Sequence, residues 1–131
     1  LPLVREHMLR QDIRLLNAHI APTAPASDGN LYEFRNYRLR PGAMGKWTSI
    51  FKDAMEHREK YSKIVGMWAT EAGQPNEVCH IWAYKDFDAR MKARGGAAGD
   101  PGWQAFLKQS GSMIEEMWST LMVPSDHSPM K

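Results

Sequence analysis

LYEFRNYRLRPGAMGKW, residues 31–47, has the pattern of a β-strand, a sharp turn and the start of a helix. Side chains alternate along the strand, so Tyr32 and Phe34 share one face while Glu33, Arg35 and Tyr37 share the other. The Pro-Gly pair at 41–42 ends the strand. We expect the aromatic pair to pack on helices and the polar set to face the opposite side of the sheet.

Elements of both types follow this strand. The residue pattern predicts helices over 43–63, 86–94 and 100–118, and strands over 64–71, 78–84 and 120–123. The GGAAG run is too rich in glycine to continue the second helix, and Asp100 before Pro101 is a suitable N-cap for the third. From residue 31 the order is strand, helix, strand, strand, helix, strand, which is typical of a ferredoxin-like α+β unit with an antiparallel sheet.

The first 30 residues have a different composition. Apolar residues near helical spacing predict a helix over 1–17, and the stretch IAPTAPASDGN that follows is typical of a linker. We therefore expect a helix and strand over 1–25, a linker over 26–30 and the main domain over 31–131.

Composition and charge exclude several classes of protein. The 131 residues are 43% hydrophobic and 24% charged, which fits one globular domain. The net charge of +2 is small and the basic residues alternate with acidic ones, so no surface for nucleic acid is predicted. A single cysteine, Cys79, excludes an internal disulfide, and no spacing typical of metal ligands occurs. No apolar run is long enough for a membrane span.

A ferredoxin-like sheet has helices on one face only, so its other face needs a cover. We expect that open face to carry four aromatic or imidazole side chains: Trp68, His80, Trp82 and Tyr84. An aromatic patch of this kind favours packing against the same sheet of a second copy, which predicts a homodimer.

Three segments resemble the NIPSNAP family: YEFRNYRLRPG after Leu31, WAY at 82–84 and the tail MVPSDHSPMK at 122–131. The family's opening strand typically reads Y-E-L-R-x-Y-x-L-x-P-G, and Phe34 replaces its aliphatic residue. The resemblance implies the dimeric α+β barrel superfamily, in which two ferredoxin-like units face each other across a cavity. That superfamily includes cofactor-independent monooxygenases, haem-degrading enzymes and domains with no assigned chemistry.

The resemblance also implies a tandem arrangement, because the family often carries two such domains. VREHM at 4–8 is similar to MIEEM at 113–117, so we expect residues 1–25 to be the end of a preceding domain and this domain to be the C-terminal one. The alanine-, glycine- and arginine-rich composition favours a bacterial cytoplasm, and the animal members of the family imply a mitochondrial matrix as the alternative.

The candidate ligand-binding residues are those of the two polar strand faces. Arg35 has the donors to hold a carboxylate, phosphate or enolate oxygen, whereas the structural alternative is an ion pair between Glu33 and Arg35. His80 is a candidate general base or haem ligand, and its structural alternative is a hydrogen-bonded cavity histidine. Trp68 and Trp82 would wall a flat ligand or pack the dimer. The full set is Glu33, Arg35, Tyr37, Trp68, His80, Trp82 and Tyr84.

These observations predict a domain of unassigned chemistry that self-associates through its sheet and binds a small, partly apolar molecule. Two alternatives stay open: a cofactor-independent monooxygenase or other small-molecule enzyme, and a protein-interaction adaptor. We expect no cofactor and no metal, since the sequence has no HExxH, phosphate-binding loop or GxSxG motif.

Overall fold

The computed structural model describes residues 2–28 and 30–131, so Leu1 of the predicted first helix and Gly29 of the predicted linker lie outside it. The described residues form five strands: β1 Leu15–Ile20, β2 Leu31–Leu39, β3 Ile64–Ala72, β4 Glu77–Tyr84 and β5 Ile114–Met122. The α-helices are α1 Pro2–Arg5, α2 Met44–Asp53, α3 Met55–Arg58, α4 Phe87–Gly99 and α5 Pro101–Ser110. A single 3₁₀ turn, Gly111–Met113, joins α5 to β5.

The strands form one antiparallel sheet in the order β1-β3-β4-β2-β5. From β2 to β5 the chain has the βαββαβ arrangement of the ferredoxin-like fold, which confirms the predicted fold class. The predicted β3–β4 hairpin is also confirmed, and its turn contains Gly73 at a φ of 106°, a conformation that favours glycine.

The helices cover one face of the sheet, which we call the inner face. Trp47 and Phe51 of α2 stack with ring centroids 4.7 Å apart and are fully buried there. Phe106 of α5 packs against both rings. This confirms the core role that helical spacing predicts for Trp47 and Phe51, and it fixes the side of the sheet on which the hydrophobic core lies.

Two predicted helices extend too far in the sequence reading. The helix predicted over 1–17 is wrong for most of its length, since α1 ends at Arg5. Residues 15–20 form β1, because their backbone pairs with the edge of β3, where Leu16 lies opposite Thr70. Helix α5 ends at Ser110 and not near Trp118, because the strand Ile114–Met122 pairs with β2. In both cases hydrogen bonding to a distant strand overrides a local helical pattern.

Helix α4 shows the opposite error, since it continues through the glycines to Gly99 instead of ending at Arg94. The Tyr61 ring lies 2.6 Å from where a Cβ of residue 96 would be, so glycine permits this close approach. The predicted cap at Asp100 is confirmed: its Oδ1 accepts from the backbone N–H groups of Gly102 and Trp103 at 2.9 and 3.1 Å.

No helix within the described ranges is both long and apolar enough to cross a bilayer. The division of the chain into an N-terminal tail, a linker and a main domain stays a prediction.

Candidate functional site

A cavity of about 290 Å³ lies between the inner face and the helices. Two features distinguish its walls: they are mostly aromatic or aliphatic, and they hold arginines and a histidine but no carboxylate. The lining residues are Arg35, Tyr37, Phe51, Arg58, His80, Trp82, Arg94, Trp103, Phe106, Leu107, Ser110, Gly111, Ile114 and Met117. This volume is close to the lower end of the range found for small-molecule pockets.

Beside the cavity, arginine side chains surround the fully buried carboxylate of Glu33. Arg90 of α4 donates to it from Nε and Nη2 at 3.0 and 2.9 Å, Arg35 donates at 3.2 Å, and the Ser119 hydroxyl donates at 2.6 Å. Burial by itself would raise the pKa of Glu33, but these hydrogen bonds and the charges of Arg35 and Arg90 outweigh it and lower the pKa to about 2. Glu33 therefore stays ionised and joins α4 to the sheet.

Arg58 of α3 is the most buried of the cavity arginines. Its Nη2 donates to the Tyr84 hydroxyl at 3.2 Å, its Nη1 donates to Ser62 at 2.6 Å, and its guanidinium lies 4.4 Å from the Trp82 ring centroid. Burial lowers the pKa of Arg58, but an arginine remains charged in proteins. Because these contacts occupy both terminal nitrogens, Arg58 acts mainly as a wall of the cavity.

His80 lies at the inner wall, 5.0 Å from both Phe51 and Tyr37 between ring centroids. Its Nδ1 accepts a hydrogen bond of 2.7 Å from the Trp82 indole, which can only donate. Burial, followed by the charge of Arg35, lowers the pKa of His80 to about 3. The ring is therefore neutral near pH 7 and carries its proton on Nε2, a buried atom with no partner among the described residues.

Arg35 carries an unfilled donor as well, beside that of His80. It is the direct cross-strand neighbour of His80, and its guanidinium lies 5.3 Å from the Tyr37 ring centroid. The Nε of Arg35 is buried and has no partner among the described residues, although its Nη1 pairs with Glu33. Burial also raises the pKa of the Tyr37 phenol, so that group is neutral at pH 7. Two residues that line the cavity, Arg35 and His80, thus each carry one buried N–H donor without a partner. Trp47, which does not line the cavity, carries a third at Nε1.

Six of the seven predicted site residues come together at or beside the inner face: Glu33, Arg35, Tyr37, His80, Trp82 and Tyr84. The predicted orientation of this face is wrong, since it lies under the helices and not toward a second sheet. Burial of charge there is possible because Arg90 of α4 supplies a partner for Glu33. The predicted ion pair between Glu33 and Arg35 is present.

Trp68 does not belong to the cavity. It lies directly opposite Cys79 on β4, which in turn lies opposite Asn36 on β2, and cross-strand neighbours share a face. Since the Met67–His80 pair points inward, Trp68 points to the other side, which we call the outer face. The predicted grouping of Trp68 with His80 is therefore wrong.

Sequence reasoning missed the helix residues that complete the site. Arg58, Arg90 and Arg94 come from α3 and α4 and contact the inner face. The four-residue spacing of Arg90 and Arg94 places them on one side of a helix. This spacing was the sequence signal that could have predicted that both arginines reach the same site. No cluster of histidine, cysteine and carboxylate side chains suited to a metal ion occurs in the described part of the chain.

Comparison with known proteins identifies relatives. The family model described as NIPSNAP matches residues 32–129. The chain is 36% identical over 107 residues to Protein NipSnap homolog 1 of Danio rerio, covering 82% of this chain and 38% of that protein. The chain thus spans less than two thirds of the length of this curated relative.

Solved structures show the same fold. A NIPSNAP family protein with unknown function from Agrobacterium tumefaciens superposes with a TM-score of 0.75 at 31% identity, covering 82% of this chain and 98% of that one. A protein of Lactobacillus acidophilus that carries the provisional name of a monooxygenase has a TM-score of 0.66 at 16% identity, covering 82% of this chain and 50% of that one. At that identity the likeness concerns the fold alone.

Proposed function

This chain belongs to the NIPSNAP family, and we propose that its domain binds a small, partly apolar molecule in the cavity between the helices and the inner face. The single observation that carries this proposal is the pair of buried, unfilled donors on a wall that is otherwise aromatic: Arg35 Nε and His80 Nε2. A buried N–H group without a partner is costly, so a ligand that accepts from both would gain binding energy.

The rest of the cavity suits an apolar ligand body. Phe51 and Phe106 supply faces and edges of rings, and Trp103 lies 4.7 Å from Phe106 between ring centroids. Aromatic side chains that surround a few polar groups are typical of small-molecule sites.

Native mass spectrometry tests this proposal. The purified protein is measured alone and after incubation with a mixture of small aromatic acids, amides and alcohols. We expect one added molecule per chain for at least one compound. Gly111→Phe should remove it, because Gly111 lines the cavity and a Cβ there meets no atom within 4 Å, so the larger side chain can occupy the space.

Gly99→Phe is the matched control, since residue 99 lies outside the cavity and is equally free of close neighbours. It should keep the added mass. Absence of added mass with every compound, from a folded wild-type protein, would contradict the proposal.

The rival function is a cofactor-independent oxygenase in which His80 acts as general base and Arg35 stabilises an oxyanion. The geometry favours the donor role for His80, because Trp82 occupies Nδ1 and Nε2 carries the proton. A pKa of about 3 also makes the ring a weak base near pH 7. Turnover of phenolic or quinol substrates that is lost in His80→Ala would favour the rival.

We also propose that the domain self-associates through its outer face, with a second copy of the same sheet as the occupant. Helices α2 to α5 lie on the inner face, and the C-terminal tail contacts the outer face at Tyr32. The rest of the outer face presents exposed Trp118 and Met122 beside the half-buried Phe34 and Ile81. A second copy offers a surface of the same twist and composition, and isologous contacts of this kind are the commonest in homodimers.

Residence in a bacterial cytoplasm, with the mitochondrial matrix as alternative, and a tandem partner domain stay proposals as well. The bacterial source of a solved relative supports the bacterial cytoplasm. The tandem partner domain is supported by an animal relative, of which this chain matches 38% of the length. Fractionation of the source cells and the full gene sequence would test them.

A further inference from the structure

The charge balance of the cavity restricts what it can hold. Arg35, Arg58 and Arg94 line it, and Glu33 beside it is the carboxylate that pairs with Arg35, Arg90 and Arg94 in the described part of the chain. One negative charge therefore faces four arginines, counting Arg58. With His80 and Tyr37 neutral, an excess of positive charge remains in a mostly apolar enclosure, which favours an anion.

The buried donors restrict the anion further. Some arginine donors near the cavity already have partners: Arg90 binds Glu33 through two nitrogens, and Arg58 binds Tyr84 and Ser62. Among the cavity-lining residues, Arg35 and His80 each carry one buried N–H group without a partner, Nε and Nε2 respectively. The two residues lie directly opposite each other across β2 and β4. Two adjacent donors match the two oxygens of a carboxylate, whereas a phosphate monoester would bring a third oxygen and a second charge.

The position of the apolar walls is the third restriction on the ligand. The Tyr37 ring contacts the Arg35 guanidinium with its face and meets the His80 ring edge-to-face, so it packs against both donor side chains. Phe51 lies on the other side of His80, and Phe106 packs against Phe51. Arg94, whose side chain is 40% exposed, places a further charge at the cavity mouth.

From these contacts we infer that the ligand is a flat aromatic carboxylate, held through its two oxygens by Arg35 Nε–H and His80 Nε2–H with its ring between the aromatic walls. This inference rests on the proposed ligand-binding function and names its chemical class. It assigns Arg35 and His80 as the residues that select the anion, and Arg94 as the residue that attracts it to the mouth.

Isothermal titration calorimetry with three probes of one ring system tests the inference: naphthoate, its uncharged amide naphthamide, and naphthyl phosphate. We expect naphthoate to bind at least about tenfold more tightly than naphthamide, because charge-assisted hydrogen bonds are stronger than hydrogen bonds between neutral groups. Naphthyl phosphate should bind less tightly than naphthoate.

Variants separate hydrogen bonding from charge. Arg35→Lys keeps the charge but loses the Nε–H donor, so it should lose most of the preference for naphthoate over naphthamide. Arg94→Gln should weaken naphthoate binding by a smaller factor without affecting naphthamide. Arg38→Gln is the control, since Arg38 lies on the same strand but pairs with Glu115 and Glu116 away from the cavity, and it should keep the full preference.

The outcomes are distinct. Equal binding of naphthoate and naphthamide would overturn the carboxylate assignment and leave the cavity as an apolar site, as would tighter binding of naphthyl phosphate. If Arg35→Lys kept the full preference for naphthoate over naphthamide, or if Arg38→Gln lost it, general positive charge would be the cause of the preference. Either result would also overturn the assignment. No binding of any probe to the folded protein would overturn both the inference and the proposed function.

Discussion

His80 illustrates how one residue can make stability depend on pH. Its pKa is about 3 in the folded protein, against about 6.5 in an unfolded chain, because burial and the charge of Arg35 disfavour the imidazolium. Between these values the unfolded state binds more protons, so stability falls as pH is lowered from 6.5 toward 3. The expected loss is about 1.4 kcal/mol per pH unit from this group.

Urea unfolding at pH 7.5, 5.5 and 4.5 measures this dependence. In His80→Gln the loss of stability between pH 7.5 and 4.5 should shrink by about 2–3 kcal/mol relative to wild type. His127→Gln, at an exposed position of the C-terminal tail, should leave the dependence unchanged. An unchanged slope in His80→Gln would show that His80 is not buried in its neutral form.

Glu33 provides a second prediction for a single residue. Its carboxylate has no solvent exposure and accepts from Arg35, Arg90 and Ser119, so Glu33→Gln would leave buried charges without their partner. We expect a loss of about 3–5 kcal/mol in the free energy of unfolding.

Glu116→Gln is the matched control, because Glu116 pairs with Arg38 at an exposed site, and it should leave the free energy of unfolding nearly unchanged. Chemical denaturation at neutral pH compares the two. Similar small losses would mean that Glu33 is hydrated and not a buried link between α4 and the sheet.

At the scale of elements, helix α4 contains adjacent glycines with opposite environments. A Cβ at Gly95 would meet no atom within 4 Å, whereas a Cβ at Gly96 would lie 2.6 Å from the Tyr61 ring. Gly95→Ala should therefore raise stability by up to about 1 kcal/mol, the helix propensity difference. Gly96→Ala should not raise stability, because Tyr61 would have to move away from its contact with Asp100.

Thermal unfolding of both variants measures the difference, and the same change one residue apart makes each the control for the other. A gain in both would show that Tyr61 adapts without cost. The pair also explains why α4 continues through GGAAG: the packing of Tyr61 needs a small residue at one position, and the rest of the helix tolerates the others.

At the scale of the whole molecule, two exposed residues of β5 lie on opposite faces of the sheet. Trp118 lies opposite Asn36 on the outer face, and Leu121 lies opposite Glu33 on the inner face. Their exposed fractions are similar, at 47% and 43%. If the outer face associates with a second copy, Trp118→Lys should convert the dimer to a monomer, because it would place an unpaired charge in the interface.

Leu121→Lys should leave the dimer intact and serves as the control for a lysine on the same strand. Light scattering after size-exclusion chromatography gives the mass of each species. A wild-type monomer at micromolar concentration, or equal effects of the two substitutions, would contradict association through the outer face.

The sequence by itself determined the ferredoxin-like element order, the first strand at 31–39, the β3–β4 hairpin, the Asp100 cap and the core role of Trp47 and Phe51. These features follow from alternation, helical spacing and turn residues, which are local properties of the chain. Local pattern also brought six of the seven candidate residues to the correct neighbourhood, because residues two apart on a strand share a face.

Only the tertiary structure decided which face that is. Alternation separates two sides of a strand but does not say which side meets the helices. The packing of Trp47 and Phe51 against His80 decides it. Arg90, 57 residues away in the chain, then supplies the partner for the buried Glu33. The strands at 15–20 and 114–122 depend in the same way on partners far along the chain. Burial of charge and pairing of strand edges are long-range interactions, and for that reason the tertiary structure, not the local pattern, placed the cavity under the helices.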